Sequence, residues 1–155
     1  MSYTDELREF PQGRSFVAAA ETAVTQAGYA VAARAYFTAR EGKEADYRQD
    51  LMRRCDIYVG LIGLRYGPPM RDQPEVSYAE LEFDIATGAA LPQLVFLLEE
   101  DPAVPIPPGQ LLDRDPDLQE RQRAFRARVL ESGVVAGTFS SPEQVELLLL
   151  QALQR

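Results

Sequence analysis

The chain of 155 residues reads as an α/β domain, a three-layer, mostly parallel sheet with helices on both faces. Three observations predict it. Short apolar runs of strand length alternate with stretches of helical period, in the order α, β, α, β, α, β, α, β, α, and such alternation builds parallel sheets. Two of the runs, Ile57 to Ile62 and Leu94 to Leu98, are mostly apolar, as strands covered on both faces are. The length suits a single domain over residues 1–155, one that buries roughly two-thirds of the surface its unfolded chain exposes.

The opening segment, SYTDELREFPQG, is polar and turn-rich. Thr4 or Asp5 fits a cap on a short helical turn that Pro11 and Gly13 end. Residues Arg14 to Ala27 follow as a helix, with Phe16, Val17, Ala20, Val24 and Ala27 at intervals of three and four and Gly28 as its C-terminal cap. Tyr29 to Phe37 is expected to be a strand, and Glu44 to Arg54 a helix carrying Tyr47 and Leu51 inward. Ile57 to Ile62 is the central strand, and a loop from Leu64 to Val76 bears Arg65, Tyr66 and Asp72. Ser77 opens a helix to Ala90, and Leu91-Pro92 leads into the strand Leu94 to Leu98. Five prolines between Pro102 and Pro116 make the next segment an ordered or semi-ordered surface loop, too short for a domain linker. Leu118 to Glu131 is a charged helix with Phe125 and Val129 inward, and Val134 to Phe139 is the last strand. Ser140 or Ser141 caps a final helix whose Pro142 suits the first helical position and whose Val145, Leu148, Leu149 and Leu153 close the core.

A doubly wound sheet needs a strand ahead of its first helix, and nothing before Ser2 supplies one. The first strand is therefore expected to be missing or truncated: the start is trimmed, lies upstream, or the sheet has only four parallel strands.

Composition excludes several chemistries. Histidine is absent, which removes Ser-His-Asp and Cys-His nucleophile systems and every histidine metal site. The single cysteine, Cys55, forms no internal disulfide and no zinc site, and beside a core strand it reads as an inert thiol. With a net charge of −8 the chain repels a nucleic-acid backbone. The basic residues from Arg121 to Arg128 share their helix with Asp117, Glu120 and Glu131, the pattern of a solvated face. No signal peptide and no apolar run of membrane length is present, so a soluble cytoplasmic protein without a membrane partner is expected. Neither a phosphate-binding loop nor a dinucleotide fingerprint occurs, leaving ATP hydrolysis and Rossmann-type binding unsupported.

The acidic residues that open the helix after the central strand stand out. At 100° per residue Tyr78, Leu81, Ile85 and Ala89 form one apolar stripe, with Glu82 at its edge and Glu80 and Asp84 on the other side. Glu82 there meets both desolvation and the positive helix end; it also fits a carboxylate that merely stabilises the helix dipole. Glu80 completes Ser77-x-x-Glu80, a capping box. The loop GLRYGPPMRD offers backbone amides, Arg65 and the Tyr66 ring to an anion or a sugar, although two glycines at a strand end also simply permit the turn.

The segments CDIYVGLIGLRYG, SYAELEFDIATGAALPQLVFLL and FSSPEQVELLLLQAL, with the opening SYTDELREF, resemble the DUF4062 domain over nearly the whole chain. That family occurs at the N-terminus of bacterial multidomain proteins with NTPase modules. It is similar in fold to Toll/interleukin-1 receptor (TIR) domains and nucleoside 2-deoxyribosyltransferases, so the resemblance implies a flavodoxin-like, TIR-like sheet. Both relatives place a catalytic glutamate on the helix after the third strand. The TIR spacing of an aromatic, a small residue, two variable positions and glutamate fits Tyr78, Ala79 and Glu82. The transferase spacing fits Glu82, Ala86 and Pro92. This chain departs in having Tyr78 for the usual tryptophan, Ala79 for the usual cysteine, and no glycine-threonine before the transferase glutamate.

The resemblance implies cleavage of an N-glycosidic bond in NAD or a related nucleotide, within a bacterial defence or signalling protein. NAD would be substrate, with no resident cofactor and no metal. Glu82 would be the key carboxylate and Glu80 the second candidate. Ser2, Tyr3, Gly63, Arg65, Tyr66, Gly67 and Ser77 would hold ribose and phosphates. The alternative is a non-catalytic module that self-associates or docks other domains of a longer protein, through its acidic surface and loops.

Overall fold

The computed structural model describes residues 1–31, 44–67, 70, 75–101 and 103–155, with side chains in the helix that starts at 44 described from residue 49. In chain order the elements are β1 (Ser2–Tyr3), α1 (Glu6–Glu9), α2 (Phe16–Gln26), α3 (Glu44–Arg53), β2 (Tyr58–Ile62), α4 (Tyr78–Gly88), β3 (Gln93–Leu98), α5 (Pro108–Leu111), α6 (Pro116–Glu131), β4 (Val135–Phe139) and α7 (Pro142–Leu153). Every residue of β2 is buried. It is hydrogen-bonded on both sides by parallel neighbours, β1 and β3, and β4 extends the sheet beyond β3. The order β1-β2-β3-β4, all parallel, is an open sheet consistent with a flavodoxin-like domain.

The pleat sends alternate side chains to opposite faces. Val59 and Leu61 pack with Phe16, Phe96, Phe139 and Leu149 under α2 and α7. Tyr58 and Ile62 pack with Phe83, Val95, Leu97 and Phe125 under α4 and α6, with Met52 of α3 alongside. Each of these large side chains contributes roughly 1.5–3 kcal/mol through removal from water. The rings add directional contacts, Phe83 meeting Tyr58 and Phe125 edge-on at 6.3 and 5.8 Å between centroids.

The first strand, expected to be missing or cut short, is two residues long. Ser2 pairs with Gly60 and Tyr3 with Leu61, and Thr4 N–H continues the ladder to Leu61 C=O at 3.3 Å. Asp5 occupies the N-cap position of α1, but no side-chain cap bond forms there. The expected strand from Tyr29 to Phe37 falls mostly on residues 32–43, outside the described part. Tyr47 of the following helix likewise has no described side chain, and Leu51 is half-buried while Met52 faces the core.

Helix ends follow the sequence closely. Ser15, Ser77 and Ser141 each accept a backbone N–H from three residues on. Gly28, at φ +87°, closes α2: its N–H reaches Thr25 C=O at 3.0 Å and Tyr29 N–H reaches Val24 C=O at 3.1 Å. Helix α6 starts two residues before the expected Leu118, because Asp115 caps it and Pro116 fits its first turn.

Three expectations are corrected. The buried stripe of α4 is Ala79, Glu82, Phe83 and Ala86, not Tyr78, Leu81, Ile85 and Ala89. Small alanines let this helix approach the sheet and Phe83 fills the gap, so Glu82 lies within the stripe and not at its edge. The basic face of α6 is only partly solvated. Arg126 donates to the carbonyls of Ile62 (2.9 Å), Gly63 (3.1 Å) and Leu98 (2.7 Å), at the ends of β2 and β3. Arg128 lies over the Phe83 and Phe125 rings and bonds Asp84 at 2.7 Å. Finally, the proline-bearing segment is more than a surface loop, since Val104 and Ile106 plug the core and Asp113 is buried.

Candidate functional site

Eight of the nine residues singled out from sequence fall into three constellations. The first joins Glu82 to Ser2. β1 presents the Ser2 side chain toward α4, and Ser2 Oγ donates to Glu82 Oε1 at 3.0 Å. Glu82 is 5% exposed. Beside it runs a narrow cleft of about 20 Å³ walled by Ser2, Leu51, Met52 and Tyr58, room for about one water molecule. At Met1, Cys55 and Ile57 this cleft shares walls with a wider one of about 260 Å³. Cys55 is half-buried, and its thiol lies 3.4 Å from Leu51 C=O.

The second constellation is built on Tyr66. Its ring is 4% exposed. The hydroxyl accepts from Ser77 N–H at 3.1 Å and lies 3.0 Å from Glu80 Oε2 and 3.2 Å from Glu75 C=O. Only half of the expected capping box forms, because Ser77 Oγ accepts from Glu80 N–H while the Tyr66 hydroxyl takes the place at Ser77 N–H. The Glu80 carboxylate faces Tyr66 and Arg128, the latter at 3.3 Å. Burial, then the Glu80 charge, push the Tyr66 phenol upward. Here Tyr66, Ser77 and Glu80 act together as a strut that fixes the loop onto the start of α4. Gly67 turns the chain nearby at φ +79°, a region that favours glycine.

The third lies at the carboxyl ends of β1 and β2, where open α/β sheets commonly carry their sites, and contains residues that the sequence reading passed over. Glu6 is fully buried. Its Oε1 accepts from Thr4 Oγ1 at 2.9 Å and Arg65 N–H at 3.3 Å, while Thr4 Oγ1 accepts from Gly63 N–H at 2.9 Å. Gln122 Nε2 donates to Gly63 C=O at 2.7 Å. Gly63 is required here: a Cβ would lie 1.9 Å from Glu6 Oε1 and 2.8 Å from Thr4 Oγ1. Burial raises the Glu6 carboxyl to about 7 against the opposing pull of its own backbone N–H, Thr4 and Arg65. Burial also lowers Arg126, against the charges of Glu100 and Glu6. Arg65 extends to Asp113, whose carboxylate lies 3.8 Å from Nε and accepts from Tyr66 N–H at 2.6 Å. Tyr3, the remaining sequence candidate, packs on the opposite face of the sheet and accepts from Arg8 at 3.1 Å.

One signal for the third group was present in the sequence. Gln122 stands seven and three residues before Val129 and Phe125, on the inward stripe of α6, and a polar side chain there needs an internal partner. Nothing comparable marks Glu6, whose neighbours have no period.

Among the described residues no group of three or more acidic, cysteine or histidine side chains is placed to hold a metal ion, and no helix is long and apolar enough to cross a membrane. No curated protein and no solved structure matches the chain significantly. Residues 7–154 match the family described as Domain of unknown function (DUF4062), and the chain belongs to that family.

Proposed function

We propose that the domain cleaves the N-glycosidic bond of NAD or a related nucleotide, within a bacterial defence or signalling protein, and that Glu82 is the carboxylate that does it. The observation that carries this reading is a glutamate 5% exposed, held by Ser2 at 3.0 Å and bordering a cleft of about 20 Å³. A carboxylate kept from bulk water next to an anomeric carbon either stabilises the oxocarbenium-like transition state or attacks it directly. The low local dielectric strengthens that interaction. The cleft holds about one water, which adds to the sugar carbon as the base departs, its proton passing to the carboxylate. Ser2 fixes which oxygen faces inward and is a positioning residue.

The test is nicotinamide release from NAD, followed by chromatography, with wild type and Glu82→Gln at matched concentration. Wild type turns NAD over and the variant loses at least a hundredfold while unfolding at the same temperature. Absence of turnover of NAD and of nucleosides by concentrated wild type sinks the reading.

One observation favours assembly instead. Leu112, in the proline-bearing segment, is 46% exposed, and Leu130 and Leu147 are more so. If Leu112→Ser abolishes oligomers seen by light scattering while Glu82→Gln changes nothing, the domain is an assembly module.

A further inference from the structure

The wider cleft, of about 260 Å³, sits at the amino ends of β1 and β2. We propose that it binds a 5′-mononucleotide, a flat heteroaromatic ring carrying an anionic arm. Its floor is apolar, formed by Val24, Val59 and Leu153. Its rim is not. Tyr29 is 41% exposed there, and its backbone is fixed by the bond to Val24 C=O that closes α2. An exposed aromatic ring at the mouth of an apolar cleft is a stacking surface for another ring.

The polar groups fit the rest of such a ligand. Arg54 stands on the rim and forms no ion pair among the described residues, unlike its neighbour Arg53, which lies 3.5 Å from Asp50. In a chain of net charge −8, an unpaired guanidinium beside an apolar cleft is where a phosphate would be drawn. Asp56, exposed on the same rim, accepts from an amino or imino group of the ring. The volume lies just below the roughly 300 Å³ at which small-molecule sites begin, so the cleft encloses one nucleoside, and the second half of a dinucleotide would extend outside it. A purely aliphatic ligand would leave both rim charges unused.

Because this cleft shares Met1, Cys55 and Ile57 with the narrow one, a ring seated here directs its sugar toward Glu82. Only that last point rests on the glycosidase reading.

The experiment titrates adenosine 5′-monophosphate and adenosine into isotopically labelled protein and follows amide resonances. Saturable shifts are expected at Tyr29, Ala30, Cys55 and Ile57. Arg54→Ala weakens the monophosphate about fivefold, equivalent to about 1 kcal/mol, and leaves adenosine unchanged. Ala30→Trp, at an exposed position on the cleft wall, blocks both ligands without touching the core. Shifts confined to other residues, or an equal response of the two ligands to Arg54→Ala, overturn the proposal, as does the absence of saturable binding. Binding here without turnover would sink the glycosidase reading alone; turnover with no change around Tyr29 would sink this inference alone.

Discussion

Replacing Glu6 by glutamine isolates one buried proton and tests whether the strand-end network is held by a neutral acid. Glu6 has no exposed surface, and burial moves its carboxyl from the ordinary 4.5 to about 7. Three groups pull the other way without overcoming it, namely its own backbone N–H, the Thr4 hydroxyl and Arg65, through both its backbone N–H and its charge. At 1.36 kcal/mol per pH unit, that displacement amounts to about 3 kcal/mol between the fully protonated and fully ionised limits. The folded form binds the proton more tightly than the unfolded chain does. Its contribution to stability is therefore complete below pH 4.5 and is lost as pH rises through 7.

The assay is urea unfolding followed by circular dichroism between pH 4 and 9, for wild type and Glu6→Gln. Glutamine keeps an acceptor for Thr4 and Arg65 and carries no charge to desolvate. Wild type should lose about 3 kcal/mol across that range through this group, and the variant should lose that slope, so the stability difference between them swings toward the variant by about 3 kcal/mol. For a chain of this length such a change moves the melting temperature by roughly 6–12 °C. Wild-type and variant profiles that stay parallel at every pH would refute the argument. A changed denaturant slope would instead implicate the unfolded state.

Two further substitutions probe the same framework. Gly63→Ala places a Cβ where Glu6 Oε1 now lies, 1.9 Å away; displacing a buried, bonded carboxyl should cost about 1–3 kcal/mol in denaturant unfolding. Tyr66→Phe removes the hydroxyl that meets Ser77 N–H and Glu80. It should destabilise by about 1–2 kcal/mol and free the residues before α4 to faster amide exchange.

What the sequence disclosed divides along a physical line. Periodicity reports burial, so β2, β3, β4 and the long helices were legible from apolar spacing, and the Ser77 and Ser141 caps from their local chemistry; Ser15 caps α2 where a helix already under way from Arg14 was expected. The α4 phase was misread because size was not weighed with hydropathy: Ala79 and Ala86 face the sheet by being small, while Tyr78 and Leu81 are half-buried. Arg126 was misread because its partners are backbone carbonyls at Ile62, Gly63 and Leu98, far away in sequence and without any residue-type signature. Glu6 was invisible for the same reason. Its environment is made by Gly63, and only the β1–β2 pairing brings the two together.

Two buried glutamates now compete for a chemical role, and their surroundings separate them. Glu6 has the pKa of a general acid or base, yet Thr4, Gly63 and Arg65 enclose it, and neither of the two joined clefts is lined by it. A group that no substrate reaches performs no proton transfer, so its raised pKa reflects packing. Glu82 is nearly as buried, but it borders a cleft that shares walls with a larger one. The proposed chemistry needs a carboxylate that is both shielded and next to open space, and of the two only Glu82 lines a cleft, one with room for about one water. The resemblance to TIR and deoxyribosyltransferase spacings and the cleft beside Glu82 are independent of each other, since the spacing concerns residue order along one helix and the cleft depends on β1 and α3.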